Sequence, residues 1–279
     1  MRRSIPGAWL IRAAAAAAAG AILVSGAACS RAAVYKERLN AIASDTARAV
    51  LRDTLWAHGS FYRWADHRFL RCEVTWADVR PLATTARQAV WLLDTERGRL
   101  RIEHPAEGRV TLFDGMAWRI LADGKETADA VVRMDAAGEA RVLRELATVP
   151  FSLLEPGLDI GYLGCRAGPA EARAWEQLLV AYRGAGDQAG TDRTVVEVRR
   201  QTHRVEAAII QWPELPFAGR RYRVELDDWH ERGGVVLARR CRFYPADESG
   251  RRAGEMRFEA RVTRLEWAAP VGLGAFGRP

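Results

Sequence analysis

The run from Gln88 to Leu121, QAVWLLDTERGRLRIEHPAEGRVTLFDGMAWRIL, constrains the fold more than any other part of the chain. It reads as four short strands joined by tight turns at Glu96-Arg97-Gly98, Pro105-Ala106-Glu107-Gly108 and Asp114-Gly115. Asp114-Gly115 predicts a two-residue type I′ hairpin, because that turn needs positive φ at both central positions. It would set Phe113, Met116, Trp118 and Ile120 on one face and Val110, Leu112 and Ala117 on the other. Asp123-Gly124 closes the meander. Gln88–Leu93 is apolar on both faces, with Trp91 and Leu93 set against Val90 and Leu92. A sheet of this kind either is covered on both sides or lines an apolar cavity on one of them. The residues leave both options open.

The flanking chain supplies more strands and a few helices. Val34 to His58 carries apolar residues at three- and four-residue spacing and predicts one long helix stopped by Gly59. His58 to Trp64 reads as an aromatic-rich turn. Arg68–Trp76 alternates Leu70, Cys72, Val74 and Trp76 against Arg71, Glu73 and Thr75, as a half-buried antiparallel strand does. Asp78 to Thr85 reads as a polar loop broken by Pro81. Ala136–Thr148 predicts a second helix, ended by Pro150. Pro169–Tyr182 predicts a third, with Trp175, Leu178, Leu179 and Tyr182 on one helical face. Thr194–Arg199, Arg204–Gln211, Arg221–Leu226, Val235–Tyr244 and Glu255–Trp267 predict strands. The last changes side-chain parity near Arg264, which predicts a bulge there. Neither an internal repeat nor a composition shift marks a second domain.

The N-terminus predicts export. Arg2, Arg3 and Arg12 precede the apolar stretch Ala13–Val24, which is too short to span a bilayer comfortably. Ser25-Gly26-Ala27-Ala28-Cys29-Ser30 follows, and small residues before a Cys resemble a bacterial lipoprotein signal, in which Cys29 would be lipidated. Gly26 stands where that pattern prefers Leu. Ser30 is not the Asp associated with inner-membrane retention. The expected organisation is a signal peptide at 1–28, an anchor at 29–33, one domain at 34–270 and a tail at 271–279. Removing the signal with its three arginines lowers the net charge from +7 to +4. The remaining arginines are scattered along strands, not clustered, which argues against nucleic-acid binding. Cys72, Cys165 and Cys241 leave at least one thiol free. Cys72 and Cys241 read either as small buried hydrophobes or as a bridge.

No catalytic or metal-binding signature is present. The five histidines, His58, His67, His104, His203 and His230, lack metal spacing. Neither GxSxG, SxxK nor a Gly-rich phosphate loop occurs. His58 and His67 with Asp66 read as a cap or surface network. Asp227-Asp228 beside His230 reads as hairpin-turn chemistry. No cofactor is called for. A hydrolase would have to show ester cleavage that disappears with Asp228→Ala or His230→Ala.

The order of elements, with three local motifs, resembles the periplasmic lipoprotein-carrier superfamily. The motifs are Phe113-Asp114-Gly115-Met116-Ala117-Trp118, Pro150-Phe151-Ser152-Leu153-Leu154-Glu155-Pro156-Gly157, and Tyr222-Arg223-Val224-Glu225-Leu226-Asp227 with Val235–Tyr244. The resemblance implies an α+β fold: a large curved antiparallel sheet, or half-barrel, with an N-terminal helix and two mid-chain helices over its concave face. It implies a non-enzymatic protein with an apolar ligand cavity. Leu70, Val74, Trp76, Trp91, Trp118 and Ile120 would line the cavity, and Phe151, Leu153 and Leu154 would form its lid. The expected partners are a membrane, through the lipid anchor, and a lipid or acylated protein. A structural or sensory lipoprotein with a filled core is the other reading.

Overall fold

The computed structural model describes residues 31–80, 83–114, 117–167, 174–182, 193–213, 216–269 and 271–276. The signal, Cys29, Pro81, the Gly115-Met116 step and the Gly184–Gly190 loop lie outside them.

Two antiparallel meanders make one sheet. The first is β1 (Phe69–Arg80), β2 (Ala83–Asp94), β3 (Arg99–His104), β4 (Arg109–Phe113), β5 (Trp118–Ala122) and β6 (Lys125–Glu126). The second is β7 (Leu158–Ala167), β8 (Ala174–Tyr182), β9 (Arg193–Arg199), β10 (Val205–Gln211), β11 (Tyr222–Arg232), β12 (Val235–Pro245) and β13 (Phe258–Trp267). β1 pairs with β13, so the 13 strands form one curved, unclosed sheet with β6 and β7 at its edges. Period-two burial explains the strands. Leu70, Cys72, Val74 and Trp76 of β1, and Tyr222, Val224 and Leu226 of β11, are all buried on the concave side. The slip between Glu73 and Val74 leaves Thr263 unpaired beside Arg264, where the sequence predicts a bulge.

The opposite face carries ion pairs. Asp227 takes Arg240 and Arg242, and Arg71 donates to Glu73 at 3.1 Å and Glu266 at 3.0 Å. Glu197 is buried, held by Arg166 and Arg223 at 2.7 Å each. The exposed pairs contribute about 0–1 kcal/mol each. Their chief effect is to fix strand register and keep this face wet.

The helices depart from the sequence expectation in four places. The stretch Val34–His58 is two helices, α1 (described over residues 31–40) and α2 (Asp45–Ala57). Ser44 interrupts them: its side chain accepts from the Ala47 N–H at 3.2 Å, a start signal inside the apolar pattern. The expected aromatic turn is a short helix, α3 (Ser60–Ala65). Gly59 joins it to α2 with φ +100°, and a Cβ there would lie 1.9 Å from the Gly234 carbonyl oxygen. The second helix is α4 (Ala130–Arg141), continuing as a π turn over Val142–Ala147. It starts earlier than expected because Asp129 accepts from the Val131 and Val132 N–H groups. The third expected helix is wrong over its described part. Residues 174–182 are strand β8, paired with β7 and β9, while 169–173 lie outside the described residues. Leu178 and Val180 bury with period two, so only one of the two expected mid-chain helices is present among the described residues.

Three turn expectations also change. Phe113 pairs with Trp118, so the β4–β5 connection is longer than a two-residue hairpin. The Asp114 carboxylate closes it by accepting from the Ala117 N–H at 3.0 Å. The two additional residues preserve parity, and Phe113, Trp118 and Ile120 still share a face. Asp227 and Asp228 lie within β11, not at a turn; the turn is Gly233-Gly234, with φ of +64° and +77°. The expected Asp78–Thr85 loop is mostly strand, since β1 runs to Arg80 and β2 begins at Ala83.

Candidate functional site

The residues expected to line a cavity converge on one place. Leu70, Val74 and Trp76 of β1, Trp91 of β2, and Phe151, Leu153 and Leu154 join one apolar cluster, and half-buried Trp118 packs against it. Ile120 of β5 is buried on the same sheet face. The cluster is filled from above by Leu51 and Leu55 of α2 and by Val142, Leu143 and Leu146 of the π turn. Side chains of the protein itself occupy this part of the concave face.

A polar pin holds α4 against the sheet. Glu139 is 1% exposed, yet it carries a carboxylate. It accepts from Trp91 Nε1 at 3.1 Å and lies 2.8 Å from His104 Nε2. Arg109 and Arg87 approach it at 3.5 and 3.6 Å. One turn earlier, Asp135 takes Arg87 at 3.1 Å and Arg109 at 3.0 Å. Burial opposes ionisation of Asp135, but Arg87 and Arg109 outweigh it and hold its carboxyl below the usual range. Buried charges persist only when paired in this way. Sequence reading missed the pin. Its signal was two acids spaced i, i+4 on a helix otherwise read for its apolar face.

Two clefts flank the segment that follows the π turn. The segment Phe151–Gly157 runs between them as a strap, beginning with a 3₁₀ turn over Phe151–Leu154. A cleft of about 270 Å³ lies on one side, walled by Tyr35, Trp64, Phe113, Phe151 and Arg144. A second, of about 440 Å³, lies on the other, walled by Ile42, Leu153, Leu154, Leu158, Ile160 and Leu179. Arg38, Glu155 and Pro156 border both. Trp64 stacks on Phe151 with ring centres 4.7 Å apart. Arg38 donates to the Leu154 carbonyl at 2.9 Å, and Arg144 pairs with Glu155 at 3.3 Å. Burial raises the Glu155 carboxyl to about 7, with Glu145 adding to the rise and Arg144 and Arg38 opposing it. Of the expected lining residues, Phe151 borders the first cleft and Leu153 and Leu154 the second. Trp76 borders a separate cleft of about 360 Å³ beside Arg87 and Asp135.

The other constellations are structural fastenings. His58 is fully buried; its Nδ1 lies 3.0 Å from the Val236 carbonyl, and its Nε2 accepts from the Val205 N–H at 3.3 Å. These partners require a neutral ring protonated on Nδ1. Burial lowers its pKa to about 4, against the hydrogen bond to Val236. His67 is pinned elsewhere, 3.0 Å from the Gly233 carbonyl and stacked on Trp267. Asp227 is taken by its two arginines, while Asp228 and His230 are exposed. Cys72, Cys165 and Cys241 are free, and burial pushes the Cys72 and Cys241 thiols up to about 12.

No family model matches the sequence, and no curated protein matches it. Solved structures do. A DUF1329 family protein from Desulfovibrio piger superposes with a TM-score of 0.51 at 10% identity, over 84% of this chain and 98% of that one. A LolA superfamily protein from Nitrosomonas europaea gives 0.45 at 10% identity, over 83% and 97%. An outer membrane lipoprotein-sorting protein domain from Vibrio parahaemolyticus gives 0.41 at 8% identity, over 90% and 97%. The D. piger likeness shows a shared fold and nothing finer. The curved, unclosed antiparallel sheet with its few helices is the α+β half-barrel expected from the sequence.

Proposed function

We propose that this chain is an exported, non-enzymatic lipoprotein that binds an apolar chain, from a lipid or an acylated protein, in the clefts beside the Phe151–Gly157 strap. The observation that carries this reading is the pair of clefts meeting at Arg38, Glu155 and Pro156. The larger falls within the ordinary range of small-molecule sites, roughly 300–1,000 Å³. Its walls are mostly apolar, and Arg38, Glu155 and Asp159 are its charged members. Phe151, Leu153 and Leu154 act as the lid and contact the ligand first. Leu70, Val74, Trp76, Trp91, Trp118 and Ile120 form the wall reached once the strap moves. Residues 1–28 are removed on export, Cys29 carries the lipid, and residues 34–270 form the carrier-like domain on the periplasmic side of the outer membrane.

The filled concave face favours a second reading, a structural or sensory lipoprotein that recognises a protein partner and holds no ligand. Native mass spectrometry of the membrane-extracted protein, followed by lipid extraction, separates the two. Co-purifying lipid supports the carrier. An acylated, ligand-free protein supports the filled-core reading, and an unmodified Cys29 removes the anchor from both.

A further inference from the structure

We infer that one rim of the half-barrel, built from the start of α1, α3 and the β11–β12 turn, rests against the phospholipid bilayer. The inference rests on lipidation of Cys29 as proposed above. Its basis is the shortness of the tether. Arg31 is already fixed to the fold, since its Nη1 donates to the His67 carbonyl at 3.3 Å. Ala32 and Tyr35 are buried, and the Tyr35 hydroxyl donates to the Thr95 carbonyl at 3.3 Å. Cys29 precedes Arg31 by two residues, and two extended residues reach about 7 Å at most. An anchor rooted there holds the surface around Arg31 at headgroup level.

Contacts trace that surface. His67, which receives Arg31, meets the Gly233 carbonyl, and Gly234 lies against the Arg63 side chain. Arg63 follows Tyr62, whose ring lies 6.4 Å from Trp56. Trp56 is 58% exposed, Tyr62 46% and Val34 41%, three of the six large hydrophobic residues most exposed among the described ones. The other three are Val131 and Met134 of α4 and Leu163 of β7. Trp and Tyr suit the bilayer interface because an apolar ring and a polar tip are satisfied there together. Charges on the rim nearly cancel: Arg31, Arg63 and Arg232 stand against Asp66 and Glu231, with Arg63 and Asp66 3.9 Å apart. The contact is therefore expected to depend on aromatic insertion more than on anionic lipid. Tyr35 of α1 and Trp64 of α3 also wall the first cleft, which therefore adjoins this rim.

The test uses the full-length acylated protein, its mass at Cys29 verified, in vesicles of phosphatidylethanolamine, phosphatidylglycerol and a lipid bearing a nitroxide quencher. Exposed Cys165 is first replaced (Cys165→Ser). A fluorophore is then attached through Tyr62→Cys, or through Glu231→Cys as a second rim site, and compared with Ser249→Cys. Ser249 lies past the far end of β12, about 33 Å along the strand from the β11–β12 turn. Quenching several-fold stronger at both rim sites than at 249 is expected. Equal quenching, or stronger quenching at 249, with Cys29 acylated overturns the rim assignment alone. An unacylated Cys29 overturns the anchor and the rim assignment together.

Discussion

The two ends of the helical roof are held by different physics. At one end, α4 is pinned through Glu139 and Asp135 to Trp91, His104, Arg87 and Arg109, a buried network with a partner for each carboxylate. At the other, the strap is held by the Arg38 bond to the Leu154 carbonyl, the Ser152 hydroxyl donating to the Glu145 carbonyl at 2.9 Å, the Arg144–Glu155 ion pair, the stack on Trp64 and the buried side chains of Leu153 and Leu154, with a cleft on each side. Charges buried together cannot part cheaply, whereas moving the strap exchanges its polar bonds for water and exposes the buried side chains of Phe151, Leu153 and Leu154. One end is thus fastened by buried charge and the other mainly by apolar packing, and the largest cleft lies at the second.

Breaking the pin is expected to have the largest effect. Glu139→Ala leaves buried Trp91 Nε1 and His104 Nε2 without their carboxylate, removes one of the carboxylates facing Arg87 and Arg109, which keep Asp135, and should cost about 3–5 kcal/mol. Thermal unfolding should shift by roughly 10 °C, at 2–4 °C per kcal/mol for a chain near this size. Glu139→Gln should cost less, because the amide oxygen still accepts from Trp91. On the strap, Phe151→Ala removes the stack on Trp64 and should cost about 3 kcal/mol by urea unfolding. Arg38→Ala removes a single bond to the Leu154 carbonyl and should cost about 1 kcal/mol. Its clearer signature is faster hydrogen exchange at Leu153–Gly157 with unchanged exchange at Val142–Ala147. Equal acceleration at both ends would contradict the distinction between them.

The remaining prediction is a pH slope. Glu155 is raised to about 7 from its unfolded 4.5, so its contribution to stability is full below 4.5 and lost as pH rises through 7. His58 is lowered to about 4 from 6.5, so its contribution is full above 6.5 and lost as pH falls through 4. Between 4.5 and 6.5 the two slopes oppose. Glu155→Gln removes one of them, and the variant's stability should then rise with pH more steeply than the parent's across that window. Parallel curves from urea unfolding would show that Glu155 does not titrate there.

Much of the sheet was legible in the sequence because its alternation is strict. Leu70, Cys72, Val74 and Trp76 announce β1, and Tyr222, Val224 and Leu226 announce β11. The bulge at Arg264 was legible for the same reason, since a change of parity has few other causes. Residues 174–182 were misread because Trp175-Glu176-Gln177-Leu178-Leu179-Val180-Ala181-Tyr182 satisfies both periods. Pairing with β7 and β9, which no local pattern reveals, decides for strand. Ser44 was a legible cap that a long apolar pattern concealed. The lid residues Phe151, Leu153 and Leu154 were named from resemblance, and they border the clefts. Arg38, Arg144 and Glu155 were not read as site residues, because their significance comes from the strap's path over α1 and the π turn, which is tertiary.

Binding of an apolar fluorescent probe, followed by displacement with a fatty acid, tests the central claim most directly. The wild-type protein should bind the probe and release it to the fatty acid. Ile160→Trp, which fills the larger cleft from β7, should weaken binding about tenfold while the thermal transition stays close to that of the parent. Absence of probe binding, or binding indifferent to Ile160→Trp and to Phe151→Ala alike, would contradict a ligand in these clefts and leave the filled half-barrel as the functional form.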